Sequence, residues 1–176
     1  KGYWGRPEDT AKAFTTDGWL GTGDQAEIVD GRIRILGRIK EIIVTSTGEK
    51  IPPADLELAI AADPLIEQAL VIGEQRPFIS CVVTLRSQEW RQLAAELGLP
   101  ADDPASLQDF AAQRRVLEHI ERRCAHFPRY AVPRAVHLVR DAWTIDNGFM
   151  TPTLKLKRKP LMAHYSAAIE ALYQKR

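Results

Sequence analysis

The chain has 176 residues, of which 45% are hydrophobic and 27% are charged, an ordinary composition for a globular protein with its own core. Its 24 Lys and Arg residues against 23 Asp and Glu residues leave a formal net charge of +1, which excludes a global field that would attract nucleic acid or an acidic membrane. Any anion must therefore bind through local groups.

The cysteine, histidine and hydropathy patterns argue against disulfide-rich, zinc-binding and membrane-spanning classes of protein. Cys81 lies in an apolar strand-like run and Cys124 in a predicted helix, which favours free buried thiols over a disulfide framework. The four histidines lack the spacing to cysteine that zinc sites show, and we expect no metal site. Without an apolar run of membrane-span length or a visible secretory leader, we expect a cytoplasmic protein that remains compatible with peripheral membrane contact. Because the chain begins at Lys1 inside an apparent motif, we interpret it as a fragment.

The first predicted elements are a short helix and a hairpin. The segment 7–14 begins with proline and carries acidic residues at the positive end of the helix dipole. Two strands then flank Asp30-Gly31, and Asp-Gly is the strongest hairpin signal in the chain. The second strand runs to a charged joint at Arg38-Ile39-Lys40.

The longer second part alternates strands with helices. The predicted elements are, in order, a strand at 42–44, a turn at Gly48, a helix at 54–62, strands at 68–73 and 78–85, helices at 88–97 and 110–127, a strand at 135–139 and a helix at 164–174. Ser87 is the predicted cap of the helix that follows it, and Gly98 is predicted to end that helix. Strands interleaved with helices, divided unevenly near residue 38, predict an α+β fold.

Two charged residues near the joint have the chemistry to bind a nucleotide. Asp24 follows Gly21-Thr22-Gly23, where glycines let a ligand approach closely, and its carboxylate can accept hydrogen bonds from two ribose hydroxyls. The alternative is a turn aspartate that bonds its own backbone. Arg38 can pair with a phosphate or ribose oxygen, and the alternative is a solvated surface arginine.

A glycine turn and a basic stretch are the other candidates. Gly48 would leave room where a bulky side chain obstructs a narrow passage, or it is a hairpin-turn glycine. Lys155 and Lys157 share one face of an extended segment, and a positioned ammonium lowers the barrier where anionic charge builds. A solvated basic tail is the alternative.

Three motifs in this order resemble the adenylate-forming superfamily, which includes acyl-CoA synthetases, luciferases and the adenylation domains of peptide synthetases. They are the segments 18–24 (GWLGTGD), 37–50 (GRIKEIIVTSTGEK) and 147–158 (NGFMTPTLKLKR). The sequence of the last motif is most similar to the corresponding motif of long-chain fatty-acid–CoA ligases. The usual superfamily pattern places glycine before the lysine, whereas this chain has Leu154, a departure that the long-chain class shares.

The resemblance implies a role for each candidate residue. Asp24 and Arg38 would bind ATP or AMP, and Lys40 would be the hinge at which a small domain turns. Lys155 would be the catalytic residue, with Lys157 as the second choice. The loop that enters the active site for thioester formation would contain Thr47, Gly48 and Glu49, and Glu57 would help to fix the docked pose of the domain.

The resemblance also implies an architecture and a reaction. Residues 1–38 would be the end of a large N-terminal adenylation domain, and residues 39–176 a C-terminal lid domain with a central β-sheet flanked by helices. The intact enzyme would join ATP and a fatty acid into an acyl adenylate and then transfer the acyl group to coenzyme A, with Mg²⁺ neutralising the triphosphate. The chain alone would be inactive, because the acyl tunnel and adenine pocket belong to the N-terminal domain. Two alternatives remain: an acyl-AMP ligase that delivers to a carrier protein, and a non-catalytic interaction module with this fold.

Overall fold

The structure, a computed structural model, describes residues 2–174, apart from the side chain of Leu36. The chain divides into two compact units, Lys1–Ile42 and Ile43–Arg176. This division lies four residues after the boundary that the sequence predicts between residues 38 and 39.

The first unit contains the predicted short helix and hairpin. Its elements are α1 (Pro7–Ala13), β1 (Asp24–Val29), β2 (Arg32–Arg38) and a 3₁₀ helix at Ile39–Glu41. The strands pair antiparallel, with a bulge between Gln25 and Ala26. Asp30 and Gly31 both adopt left-handed backbone conformations, with φ of 50° and 73°, as an Asp-Gly two-residue turn requires.

The second unit is built on a three-stranded sheet with strand order β5-β6-β7. Its elements are β3 (Ile43–Val44), β4 (Lys50–Ile51), α2 (Pro53–Ala61), β5 (Ile66–Ile72), β6 (Ser80–Leu85), α3 (Ser87–Glu96), a 3₁₀ helix (Pro104–Gln108), α4 (Phe110–Arg123), β7 (Ala135–Val139), α5 (Arg158–His164) and α6 (Ser166–Gln174). Strands β5 and β6 are antiparallel, while β6 and β7 are parallel.

Both faces of the sheet are apolar, and each face has its own core. Val71 and Val83 belong to the larger core, which also contains the buried residues of α2, α3 and α4. Leu70, Ile72 and Val82 point the other way because side chains alternate along a strand, and they pack with buried residues of α5 and α6. The predicted α+β fold with a central sheet flanked by helices is confirmed.

Three local predictions differ from the structure. Ser87 is the first residue of α3 rather than its cap, and no side chain bonds the free backbone groups at that end. Helix α4 ends at Arg123, four residues before the predicted end. The closing helix predicted at 164–174 is α6, which begins two residues later at Ser166. It is preceded by an unpredicted helix, α5, and the hydroxyl of the intervening Tyr165 accepts a 3.1 Å hydrogen bond from the indole of Trp143.

Two leucines of α2 test the packing of the larger core. Leu56 is fully buried and Leu58 is 73% exposed, although both lie on the same helix. We expect Leu56→Ala to lower the free energy of unfolding by about 2–5 kcal/mol, and Leu58→Ala to change it by less than about 0.5 kcal/mol. Urea unfolding followed by circular dichroism measures both, and equal losses in the two variants would contradict this packing.

Candidate functional site

The candidate nucleotide-binding residues Asp24 and Arg38 face each other at the open end of the β1–β2 hairpin. Nε of Arg38 lies 3.0 Å from Oδ1 of Asp24, and Nη1 of Arg38 donates a 3.4 Å hydrogen bond to the carbonyl of Thr22. The side chains are 28% exposed for Asp24 and 58% exposed for Arg38. A solvated pair of this kind contributes about 0–1 kcal/mol to stability. It therefore presents a carboxylate and a guanidinium that a ligand with hydroxyls and a phosphate can engage.

The candidate hinge residue Lys40 is the middle residue of the 3₁₀ helix Ile39–Glu41, directly after β2. Its side chain is exposed. Short 3₁₀ segments commonly serve as connectors and have poorer hydrogen-bond geometry than α-helices. Lys40 therefore lies in a short connecting segment between β2 and β3.

The candidate thioester loop is the tight turn between β3 and β4. Thr45 is buried and forms its frame: its backbone accepts a 2.9 Å hydrogen bond from the amide of Gly48 and donates a 3.0 Å bond to the carbonyl of Glu49. The hydroxyl of Thr45 accepts a 3.1 Å bond from the amide of Glu49 and lies 2.9 Å from the hydroxyl of Thr47. The frame leaves Thr47 and Gly48 exposed at the tip of the turn.

Gly48 is required by its backbone conformation rather than by crowding within this chain. Its φ is +87°, in the left-handed region that favours glycine. A Cβ atom built at this position would meet no heavy atom within 4 Å. Any obstruction by a larger side chain would therefore involve a molecule other than this chain.

A surface groove adjoins this turn. It has a volume of about 630 Å³ and extends from Thr47 and Glu49 to the segment before β7. Arg129 and Arg134 line it together with Tyr130, and the Arg134 guanidinium lies 5.7 Å from the ring centroid of Phe78. The acidic side chains along it are Glu49 and Glu121. The groove thus combines two guanidinium groups with the aromatic rings of Phe78, Phe127 and Tyr130 beside the turn.

Lys155 lies on a small hairpin loop between Met150 and Leu156, which form an isolated antiparallel bridge. The amide of Thr151 donates a 2.8 Å hydrogen bond to the carbonyl of Lys155, and the hydroxyl of Thr151 accepts a 3.1 Å bond from the amide of Lys155. The Lys155 side chain is exposed. Lys157 is also exposed, and its amide donates a 2.8 Å bond to the carbonyl of Phe149. The loop therefore presents Lys155 to solvent from a fixed backbone.

Leu154 has a left-handed backbone, with φ of +59°. It occupies the position at which the usual superfamily motif has glycine. A non-glycine residue in this conformation costs about 1–2 kcal/mol, and a leucine has no polar side chain to offset that cost through a local hydrogen bond. The 68% exposed Leu154 thus retains a turn geometry that suits glycine.

Both ends of the segment that carries this loop are attached to β5. The side-chain amide of Gln68 donates a 2.9 Å hydrogen bond to the carbonyl of Trp143 and accepts a 2.7 Å bond from its amide. At the other end, Arg158 pairs with Glu57 and donates to the carbonyl of Val71. Sequence reasoning gave no individual role to Arg158 or Gln68, because neither contact is local in sequence.

A second charged cluster lies in a cleft between α3 and α4. The carboxylate of Asp63 lies 3.1 Å from Nδ1 of His119 and 3.1 Å from Nε of Arg123. Burial by itself raises the pKa of Asp63, but the Leu65 amide, the Arg123 guanidinium and His119 together lower it below its usual value. The cluster ties α4 to the link between α2 and β5.

Two searches of the described part of the chain concern metals and membranes. Residues 2–174 contain no group of three or more His, Cys, Asp or Glu residues placed to hold a metal ion. In the same range, every helix is too short or too polar to cross a membrane.

Comparison with known proteins agrees with this arrangement of sheet and loops. The second unit is a domain of the class that forms the C-terminal end of adenylate-forming enzymes. The chain belongs to the family described as AMP-binding enzyme C-terminal domain, whose sequence model matches residues 40–176.

Curated relatives and solved structures match nearly the whole chain, including the residues before the matched domain. A long-chain-fatty-acid–CoA ligase of Mycobacterium tuberculosis, FadD15, is 36% identical over 99% of this chain and 29% of its own length. The mouse long-chain-fatty-acid–CoA ligase ACSBG1 is 31% identical over 98% of this chain and 27% of its own. The adenylation domain of a Mycobacterium chelonae carboxylate reductase is 29% identical with a TM-score of 0.83, covering 99% of this chain and 26% of that domain. This chain therefore spans less than a third of these relatives.

The left-handed residue before Lys155 gives a direct test of the loop geometry. We expect Leu154→Gly to raise the free energy of unfolding by about 0.5–1 kcal/mol, because glycine adopts this φ without steric cost and this gain exceeds its larger unfolded-state entropy. Leu154→Ala is the matched control: it removes the exposed side chain but keeps the strain, so stability should stay within about 0.5 kcal/mol. Chemical denaturation measures both variants, and a loss of stability in Leu154→Gly would contradict the left-handed assignment.

Proposed function

We propose that this chain is the C-terminal part of an ATP-dependent long-chain fatty acid–CoA ligase. Residues 1–38 then end the large adenylation domain, and residues 39–176 form the mobile lid. The observation that carries the proposal is the exposed Lys155 on a hydrogen-bonded hairpin loop, in a domain whose family and curated relatives are adenylate-forming.

Lys155 suits the first half-reaction. A fatty acid carboxylate must attack the α-phosphorus of ATP, so two anions meet and negative charge concentrates in the transition state. An ammonium group held at that point stabilises the developing charge, and such preorganised groups contribute about 10²- to 10³-fold in rate. The Asp24–Arg38 pair holds the nucleotide through its ribose hydroxyls and phosphate. Mg²⁺ enters with ATP, where it neutralises the triphosphate.

The β3–β4 turn suits the second half-reaction. In this step the lid turns about Lys40, and the turn at Thr47, Gly48 and Glu49, with its exposed tip at Thr47 and Gly48, replaces the Lys155 loop next to the adenylate. The nucleotide portion of coenzyme A then lies in the adjoining groove. Arg129 and Arg134 supply the charge for its phosphates, and the rings of Phe78 and Tyr130 supply stacking surfaces for its base.

The first unit is consistent with membership in a larger body. Its strands expose apolar side chains, with Ile28 76% exposed and Ile33, its cross-strand partner, 73% exposed. An exposed apolar pair in a two-stranded sheet is suited to burial against further protein. Because the relatives extend far beyond the region matched here, we infer that the N-terminal domain covers this surface and that the chain alone does not turn over ATP.

A carrier protein as acyl acceptor is the second candidate. Several similar solved structures are adenylation domains of carboxylate reductases, and one from Segniliparus rugosus was solved as an A-PCP didomain with AMP, at TM-score 0.80 and 29% identity. Product analysis of the full-length enzyme with fatty acid and ATP separates the two functions. Acyl-CoA formation on addition of coenzyme A supports the ligase, and release of free acyl adenylate regardless of coenzyme A supports carrier delivery.

Substitution of Lys155 tests its catalytic role in the full-length enzyme. We expect Lys155→Ala to slow adenylation, measured by fatty-acid-dependent pyrophosphate exchange, by about 10²- to 10³-fold, because it removes the ammonium that stabilises the developing charge. Lys159→Ala is the control: it removes a neighbouring lysine that lies on α5 and should leave the rate unchanged. A large loss in Lys157→Ala with normal Lys155→Ala would transfer the role to Lys157, and unchanged rates in both would favour a non-catalytic module.

Substitution in the groove tests the proposed site for the coenzyme A nucleotide. We expect Arg129→Gln to raise the KM for coenzyme A by about tenfold, the worth of one charge-assisted hydrogen bond, without changing adenylation. Pantetheine lacks the nucleotide, so its KM should not respond. Arg114→Gln, which alters an exposed arginine of α4 outside the groove, is the matched control. Equal effects on coenzyme A and pantetheine would place the nucleotide elsewhere.

A further inference from the structure

The edge of the sheet at Val71 is closed by two side chains instead of a further strand. β5 is an outer strand, so the backbone groups of Val71 that point away from β6 have no strand to pair with. Oε1 of Glu57 accepts a 2.8 Å hydrogen bond from the amide of Val71. Arg158 donates one hydrogen bond to the carbonyl of Val71 and another to Oε1 of Glu57. We call this closed arrangement of Glu57, Val71 and Arg158 the edge clamp.

The edge clamp is largely removed from solvent. The side chain of Glu57 is 18% exposed and that of Arg158 is 20% exposed. An ion pair at this depth is screened less than a surface pair, and loss of one partner leaves the other charge unpaired in a poorly solvated place. Since each side chain also bonds Val71, the edge clamp fixes the orientation of Arg158 relative to β5 as well as its distance from Glu57.

The clamp lies at the base of the loop that carries Lys155. Arg158 follows Lys155 by three residues, and the backbone between them is held by the Met150–Leu156 bridge and by the bond from Lys157 to Phe149. Both intervening residues, Leu156 and Lys157, are thus hydrogen-bonded to the 149–150 segment, and Arg158 begins α5. The orientation of Arg158 on β5 therefore determines the direction in which Lys155 leaves the domain.

We propose that Glu57 and Arg158 are positioning residues for Lys155, and that the edge clamp serves the adenylation half-reaction specifically. This rests on the proposed role of Lys155. A misplacement of about 1 Å in a catalytic group can cost about 10²-fold in rate. The β3–β4 turn does not depend on the clamp, since it is held by Thr45 and by bonds to the β5–β6 connection, including the 3.0 Å bond from Ser46 to the carbonyl of Arg76. The thioester half-reaction should therefore proceed without it.

The test uses the full-length enzyme and separates the two half-reactions. Glu57→Gln keeps an acceptor for the Val71 amide but removes the charge, and Arg158→Gln removes the charge from the other side. We expect each to slow pyrophosphate exchange by about 10- to 100-fold, with thioester formation from supplied acyl adenylate and coenzyme A within about twofold of the unaltered enzyme. Glu118→Gln is the matched control, because it removes a carboxylate from the exposed Arg114–Glu118 pair on α4, which contacts neither the edge clamp nor the β3–β4 turn, and should change neither rate.

Two further measurements distinguish positioning from general stability. In a Lys155→Ala background, Glu57→Gln should cause no additional loss, because the clamp acts through a group that is already absent. The double variant Glu57→Gln/Arg158→Gln should be no slower than the worse single variant, as expected for one coupled unit. Equal loss in both half-reactions, or further loss in the Lys155→Ala background, overturns the clamp proposal. If Lys155→Ala itself leaves adenylation unchanged, the proposed catalytic role fails, whereas loss in Lys155→Ala with normal Glu57→Gln and Arg158→Gln overturns the clamp alone.

Discussion

The arrangement of the second unit depends on a sheet that is apolar on both faces. Leu70 and Val71 are adjacent on β5 and both fully buried, one in each core. A sheet of this kind needs helices on both sides, and α2, α3 and α4 supply only one. After β7 the chain must therefore move to the opposite face to provide α5 and α6. The segment that makes this transfer carries Lys155, so the requirement to cover the sheet also places the candidate catalytic residue.

Short-range signals in the sequence predicted most of this fold. The Asp30-Gly31 turn and the apolar runs of β5 and β6 were located because each depends on backbone preference or on neighbouring residues. Ser87 was assigned as a cap and is instead the first residue of its helix, since the assignment of a cap depends on one residue of register. Helix α5 was missed because Leu161 is its one buried residue, which gives the sequence no apolar periodicity to detect.

The candidate site could likewise be predicted only where its residues are close in sequence. Asp24, Arg38, Gly48 and Lys155 could be chosen because they belong to contiguous motifs. The groove could not, because it joins the β3–β4 turn to residues of the segment between α4 and β7, more than seventy positions later. The edge clamp was equally hidden, since Glu57 and Arg158 are 101 positions apart. Contacts of this kind follow only from the packing of the whole domain. The packing of the domain also explains how a chain with a net charge of +1 can have a local cluster of positive groups, as the groove has with Arg129 and Arg134.

The parallel pairing of β6 with β7 has a consequence for biosynthesis. Ser80 pairs with Ala135, so the sheet cannot be completed until 55 further residues have been translated. The face with Leu70 and Val82 remains uncovered for longer still, until Leu161 and Ile169 have been translated. Contacts between distant residues form slowly, and apolar surface that waits for a partner is prone to aggregation. Until those residues are available, one face of the sheet exposes apolar side chains, which favours association with other apolar surfaces during synthesis.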